Sequence, residues 1–183
     1  MTRTTNARVA GSTFLLYIAA GVAAMVMGGA AADGTAAKLA HTVLGLLENF
    51  SAIVLAVTLY SITRDQDPDL AMIAMVCRLA EGVLGAMPDG SMAMTATFFA
   101  VGSTLFAWLL LRGRMIPLPL AWLGVLASLL LVVGLPMQIA GLVHSPVTML
   151  MWLPMAAFEV PFGLWLIIKG VAAPATAVRA VVS

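Results

Sequence analysis

The chain has 183 residues, of which 62% are hydrophobic and 9% charged, and its mean hydropathy is +1.07. A soluble domain has about 25% charged residues, so this composition excludes a soluble protein. The formal net charge is only +1, which excludes a polybasic nucleic-acid binder. The single cysteine, Cys77, excludes an intramolecular disulfide and any multi-cysteine metal site.

Six stretches are long enough to cross a membrane, since a spanning helix needs roughly 20 mostly apolar residues. They are predicted at approximately Val9–Ala31, Lys38–Thr63, Asp69–Met87, Ser91–Leu111, Pro117–Val143 and Val147–Lys169. Short segments of turn-forming residues separate them, so neighbouring helices should run antiparallel. The sequence therefore predicts an all-α bundle of six transmembrane helices that forms one integral membrane domain over residues 1–183.

Cationic residues predict the orientation of this bundle, because cytoplasmic loops retain Lys and Arg. Only Lys38 lies on one side, whereas seven cations lie on the other: Arg3, Arg8, Arg64, Arg112, Arg114, Lys169 and Arg179. Both termini are therefore expected in the cytoplasm. A cleaved signal peptide ending at Ala30-Ala31-Ala32 is the alternative for the first span, but its apolar stretch exceeds the usual length of about 7–15 residues.

Four charged residues lie inside the predicted helices: Glu48, Arg78, Glu81 and Glu159. Each lies near the midpoint of its own helix, so at a rise of about 1.5 Å per residue they should share one depth. A charge inside a membrane costs about 2.5–3.5 kcal/mol on insertion scales, which favours a functional role. Arg78 and Glu81 share a helix face with small residues, and this face should point into the bundle.

The charges of this layer do not cancel, since three Glu and one Arg would leave −2 if all were ionised. Arg78 stays protonated and can compensate one carboxylate as an ion pair. At least one other Glu should be neutral, because burial and neighbouring like charge disfavour the ionised form. Such a set suits acid–base catalysis, a proton relay or a cation pocket. The alternative is a polar layer that only holds the helices in register.

Three further polar residues are candidates for binding a substrate: His41, Asn49 and Gln138. His41 lies seven residues before Glu48 on the same helix face, and Asn49 lies beside Glu48. Gln138 follows Pro136, which is expected to bend the fifth helix.

Proline should also shape the sixth predicted helix, where Pro161 removes a backbone donor and is expected to kink the helix beside Glu159, and Pro154 is expected to add a second bend. No paired-histidine, HExxH, Walker or GxSxG pattern occurs in the sequence. We therefore expect no metal and no cofactor.

Five stretches resemble the bacterial membrane proteins catalogued as domain of unknown function 4386. They are VAGSTFLLYIAAGVAA, IVLAVTLYSITR, MVCRLAEG, and LLLRGRMIPLPLAWLGVLASLLLV together with FEVPFGLWLIIKGV. The resemblance runs from Arg8 to Val171 and implies a six-helix fold in a bacterial cytoplasmic (inner) membrane, but no activity. Arg78 and Glu159 match positions typical of the family, whereas Glu48 fits the pattern less well.

The leading functional hypothesis is a cofactor-independent acid–base enzyme, such as an epoxide-opening cyclase or hydrolase or an isomerase, acting on a lipophilic small molecule. Glu159 or Glu48 would be the acid and Glu81 the base, while Arg78 would hold one carboxylate ionised. The alternative is a proton- or cation-coupled small-molecule transporter or channel, where carboxylates at mid-depth are equally expected.

A third interpretation is a non-catalytic partner subunit that uses the polar layer only for assembly. Membrane lipid is an expected partner under every interpretation. The Ala20–Ala24–Gly28 stripe of the first helix indicates a packing seam or a homodimer interface.

Overall fold

The computed structural model describes residues 2–29, 34–87 and 91–172. The helices in these ranges are α1 (Arg3–Gly29), α2 (Thr35–Thr63), α3 (Pro68–Gly85), α4 (Met92–Arg112), α5 (Leu118–Ile139), α6 (Val147–Leu150) and α7 (Leu153–Ile168). No strand occurs in the described part of the chain, so the prediction of an all-α fold is confirmed. Several predicted features lie outside the described residues: Ala30 to Asp33, Pro88 to Gly90 and Arg179.

Five helical segments are long and apolar enough to cross a membrane, namely α1, α2, α4, α5 and the pair α6–α7. The remaining long helix, α3, carries Asp69, Arg78 and Glu81 within 18 residues. Large apolar side chains cover the outside of the bundle; Phe50 is 63% exposed and Leu126 60% exposed. Such a surface suits contact with lipid rather than with water. The cytoplasmic location of both termini stays a prediction.

The six long helices form a closed ring. Helix α1 packs against α2 and α7, and contacts of α2 with α3, α3 with α4, α4 with α5 and α5 with α7 complete the circuit. Aromatic rings fill part of the centre: the ring centroids of Phe14 and Phe162 lie 5.4 Å apart, and those of Phe158 and Phe162 lie 5.0 Å apart. Side chains on the inward faces of these helices are therefore enclosed by the ring.

Two glycines allow α1 and α7 to close this ring. A Cβ atom on Gly11 would lie 2.5 Å from the carbonyl oxygen of Gly163 and 2.9 Å from the Cβ of Leu166. The backbones can approach this closely only without side chains, as is common where helices pack in membranes. Ala20 and Ala24, further along α1, are buried within the single chain. Their burial supports the packing interpretation of the small-residue stripe, while a homodimer stays a prediction.

Helix α1 begins at Arg3, six residues before the predicted start at Val9. The Arg3 guanidinium donates a hydrogen bond to the carbonyl oxygen of Ile62 at 2.9 Å, and it lies 3.3 Å from the carboxylate of Asp65. These contacts attach the polar start of α1 to the end of α2. Hydropathy alone did not show them, because the residues before Val9 are mostly polar.

Helix α5 ends at Ile139 rather than at the predicted Val143. Gly141 has a φ of +71°, a left-handed conformation that favours glycine and stops the helix. The backbone N–H of Leu142 then donates to the carbonyl of Met137 at 2.9 Å, which closes the end of the helix.

The sixth predicted span, Val147–Lys169, is divided into α6 and α7. Pro154 causes the break, since it lacks the N–H that would bond to the carbonyl of Leu150 and its ring clashes there. The sequence predicts one continuous span with a bend at Pro154, and the structure instead divides this span into two helices. Helix α7 continues through Pro161 without a further division.

Candidate functional site

A buried ion pair lies on the inner face of α3. The Nη1 atom of Arg78 lies 2.7 Å from Oε2 of Glu81, and the two side chains are 1% and 5% exposed. Ala71 and Ala74, on the same face, are fully buried. This face therefore points into the bundle, as its small residues indicated.

Two aromatic residues from other helices complete the surroundings of this pair. The hydroxyl of Tyr17, on α1, donates a hydrogen bond to Oε1 of Glu81 at 2.9 Å. The guanidinium carbon of Arg78 lies 4.8 Å from the ring centroid of Phe99, on α4, and 5.5 Å from that of Tyr17. Arg78 therefore lies within cation–π distance of both rings, and each carboxylate oxygen of Glu81 has a cation or a donor beside it.

Glu159 brings a second carboxyl group to the centre from α7. It is 6% exposed, and its Oε1 atom has no hydrogen-bond partner among the described residues. Glu159 is close enough to Arg78 and Glu81 to interact electrostatically with both. The structure thus brings together three of the four charged residues that the sequence places at mid-depth.

Arg78 also lines a small cavity at the centre of the ring. Its other walls are mostly apolar and aromatic, including Phe14, Phe106 and Phe158, and its volume is about 10 Å³. A volume of this size admits at most about one water molecule. Of the four charged residues, Arg78 alone lines this cavity, which is too small for a lipophilic substrate.

Glu48 lies at the edge of the cluster rather than within it. It is half-buried and packs against α1, where a Cβ atom on Gly21 would lie 3.0 Å from its Oε1. Glu48 remains within electrostatic range of Tyr17 and Glu81. Its neighbour Asn49 packs against Gly85 at the end of α3. Residues 35–48 of α2 therefore extend beyond α3.

The other two predicted substrate-binding residues are not brought to the centre. His41 is exposed on the part of α2 that extends beyond α3, about two turns from Glu48. Gln138 is exposed in the last turn of α5. Spacing along one helix predicts the face on which His41 lies, but it could not show that the neighbouring helix ends before reaching it.

Sequence reasoning did not identify Tyr17 and Phe99. One signal was available for Tyr17, because a tyrosine in the middle of an apolar helix needs a hydrogen-bond partner for its hydroxyl. A buried carboxylate on another helix is such a partner. Phe99 had no comparable signal, since phenylalanine is ordinary in any membrane helix.

We expect the Tyr17→Phe variant to lose about 1.5–3 kcal/mol of unfolding free energy, the usual contribution of a hydrogen bond to a charged group. The ring stays in place beside Arg78, so the loss reports on the hydroxyl alone. Unfolding by SDS titration, followed by circular dichroism, measures it. The Tyr60→Phe variant is the control, because no hydrogen bond of the Tyr60 hydroxyl is present in the described part of the chain. Equal stability of both variants would contradict the Tyr17–Glu81 hydrogen bond.

Residues 86–170 match the family described as Domain of unknown function (DUF4386). The resemblance inferred from the sequence is thereby confirmed over this stretch, which includes α4, α5, α7 and Glu159. No curated protein and no solved structure matches the chain. The family description assigns no activity, so a function can be inferred only from the geometry of the cluster.

Proposed function

We propose that this membrane-type helical protein is a proton-coupled transporter in which Glu159 exchanges the coupling proton. The observation that supports this most directly is the buried carboxyl group of Glu159 close to the Arg78–Glu81 ion pair, because its Oε1 has no hydrogen-bond partner in the ranges that the structure describes. Ionisable groups at this depth in a membrane protein are costly and commonly belong to proton or ion pathways.

The coupling step is an exchange of partners around Arg78. With Glu159 protonated, the guanidinium pairs with Glu81, which is the arrangement at 2.7 Å. When Glu159 releases its proton, its carboxylate competes with Glu81 for the same guanidinium. Glu81 lies on α3 and Glu159 on α7, so a change of partner pulls on two different helices. Proton release at Glu159 is thereby linked to a movement of the bundle.

The size of the central cavity disfavours binding of a bulky substrate at this point. A cavity of about 10 Å³ beside Arg78 admits at most about one water molecule and no lipophilic molecule. The closed ring of helices corresponds to an occluded state in this scheme. Opening on either side then requires separation of neighbouring helices, for which the exchange of ion-pair partners supplies the driving force.

Proton flux into liposomes tests the proposal. The purified protein is reconstituted with a pH-sensitive dye trapped inside, and a potassium diffusion potential is applied. The assay measures uncoupled proton exchange through the same pathway, and we expect the wild type to change the internal pH faster than empty liposomes do. The Glu159→Gln variant should fall to the rate of empty liposomes, because an amide of the same shape cannot exchange the proton.

The matched control for this experiment is the Asp69→Asn variant, which removes a carboxylate from the exposed first turn of α3. It should keep the wild-type flux. Flux that persists in Glu159→Gln, or that is lost equally in both variants, would contradict the role of Glu159. Circular dichroism of each variant in detergent verifies that the helices are intact.

A second candidate is the acid–base enzyme, and it is supported by the two side chains that contact the carboxylate of Glu81. Arg78 and Tyr17 flank its two oxygens, which is a suitable environment for a carboxylate base. In epoxide hydrolysis, Glu159 would give its proton to the epoxide oxygen and Glu81 would take one from the attacking water, so that a diol is formed. This chemistry requires the helices to part and admit the substrate.

Incubation of the reconstituted protein with 1,2-epoxyoctane, followed by mass spectrometry, tests the enzyme. Diol formation that is lost in both Glu81→Gln and Glu159→Gln supports it. Diol formation at the rate of empty liposomes contradicts epoxide opening and leaves proton-coupled transport.

A further inference from the structure

A second cavity, which has a polar lining, lies at the opposite end of α1 from its contact with Glu48. Its volume is about 450 Å³, which is within the usual range for a small-molecule site. It is lined by Arg3, Asn6, Val57, Thr58, Ser61, Arg64 and Asp65. None of these residues belongs to the Arg78–Glu81–Glu159 cluster.

Asn6 is the observation that indicates a ligand in this cavity. It is only 8% exposed, it lines the cavity, and its side-chain amide makes no hydrogen bond within the part of the chain that the structure describes. The amide is therefore free to pair with a group bound in the cavity. The amide can both donate and accept.

The charges of the cavity select a singly negative ligand. Arg3 and Arg64 contribute two positive charges, and Asp65 offsets one of them at 3.3 Å from Arg3 and 3.9 Å from Arg64. The net charge of +1 matches a phosphodiester, which carries one negative charge. Guanidinium groups suit phosphate oxygens because their N–H donors lie in a planar fork.

The remaining polar groups are acceptors. The hydroxyls of Thr58 and Ser61 donate to the carbonyls of Val54 and Val57 at 2.8 and 2.9 Å. Their hydrogen atoms are therefore already used, and towards a ligand the hydroxyl oxygens can act as acceptors. Together with the carboxylate of Asp65, they suit the hydroxyl groups of an alcohol esterified to the phosphate.

The order of these residues along α2 favours a lipid over a soluble ester. Charged Asp65 and Arg64 lie at one end of the cavity and Val57, which is 50% exposed and apolar, lies at the other. The distance is about 12 Å along the helix. A phospholipid has the same order, from charged headgroup to acyl chain.

We propose that this cavity binds the phosphodiester headgroup of an anionic phospholipid, with Arg64 and Arg3 on the phosphate, Asn6 beside it, and an acyl chain running along Val57.

Native mass spectrometry of the delipidated protein in detergent tests this assignment with dioleoyl phosphatidylglycerol as the probe and dioleoyl phosphatidylcholine as the comparison. We expect a one-to-one adduct with phosphatidylglycerol that is weakened about tenfold by Arg64→Gln, as loss of a charge-assisted hydrogen bond predicts. The matched control, Arg8→Gln, removes the same charge from an exposed position of α1 outside the cavity and should retain the lipid.

The Asn6→Ala variant separates a binding role from a structural one. It should weaken lipid retention and leave the melting temperature of the lipid-free protein nearly unchanged, because the amide makes no hydrogen bond within the described residues. A fall in both readouts overturns the role of Asn6 in binding. Equal retention of the two lipids, or equal loss in Arg64→Gln and Arg8→Gln, overturns the site.

Soluble glycerol phosphate and inorganic phosphate form the other arm of the experiment. Neither should shift the melting temperature at millimolar concentration, because neither has an acyl chain for Val57. A shift that disappears in Arg64→Gln would overturn the lipid assignment and indicate a site for a free phosphate ester.

Discussion

Replacement of Arg78 with Met is expected to lower the free energy of unfolding by about 3–5 kcal/mol, the cost of leaving one member of a buried ion pair without its partner. In the variant, the carboxylate of Glu81 keeps only the hydroxyl of Tyr17 as a donor. The side chain of Glu81 is only 5% exposed, so water cannot replace the guanidinium. Unfolding by SDS titration measures the loss.

The double variant Arg78→Met/Glu81→Met gives this prediction its control. Removal of both charges together takes away the uncompensated carboxylate, and well-packed apolar residues often replace a buried ion pair at little cost. We therefore expect the double variant to be more stable than Arg78→Met alone. Additive losses from the two substitutions would contradict a direct pairing of Arg78 with Glu81.

The Gly11→Val variant is expected to destabilise the fold by about 3 kcal/mol, at the upper end of the usual effect of overpacking. The new Cβ would lie 2.5 Å from a backbone oxygen and 2.8 Å from Cγ1 of Ile167, and backbone atoms cannot move aside as a flexible side chain can. The expected result is a lower melting temperature with the helices retained, because the contact between α1 and α7 opens.

Gly45→Val is the matched control for this substitution. Gly45 lies within α2, and a Cβ atom there would meet nothing within 4 Å. The same change of residue should leave the melting temperature nearly unchanged, since valine and glycine differ little in helix propensity. Similar losses from both variants would show that the close approach of Gly11 to Gly163 does not hold the ring closed.

Much of the fold could be predicted because hydropathy and turn residues act locally. The α2 and α4 boundaries differ from the predicted ones by at most three residues. The residue type of Pro154 indicated a bend in the sixth span, but not its division into two helices. The start of α1 at Arg3 escaped prediction because it depends on a hydrogen bond to Ile62, more than fifty residues away in the sequence.

The part of the candidate site that lies on one face of α3 could be predicted from the sequence. The three-residue spacing of Arg78 and Glu81 gave their pairing, and the small residues beside them gave the inward direction. The neighbours from other helices, Tyr17 and Phe99, depend on the order of helices around the ring, which no local pattern contains. His41 shows the same limit, because its distance from the centre follows from where α3 ends.

The most direct test of the central claim is an infrared difference spectrum of the protein in lipid vesicles after a change of pH. The claim is that Glu159 exchanges a proton beside the Arg78–Glu81 pair. We predict a carbonyl stretching band of a protonated, water-excluded carboxyl group that changes with pH, is absent from Glu159→Gln and is retained in Glu48→Gln. A band that persists in Glu159→Gln would contradict the claim.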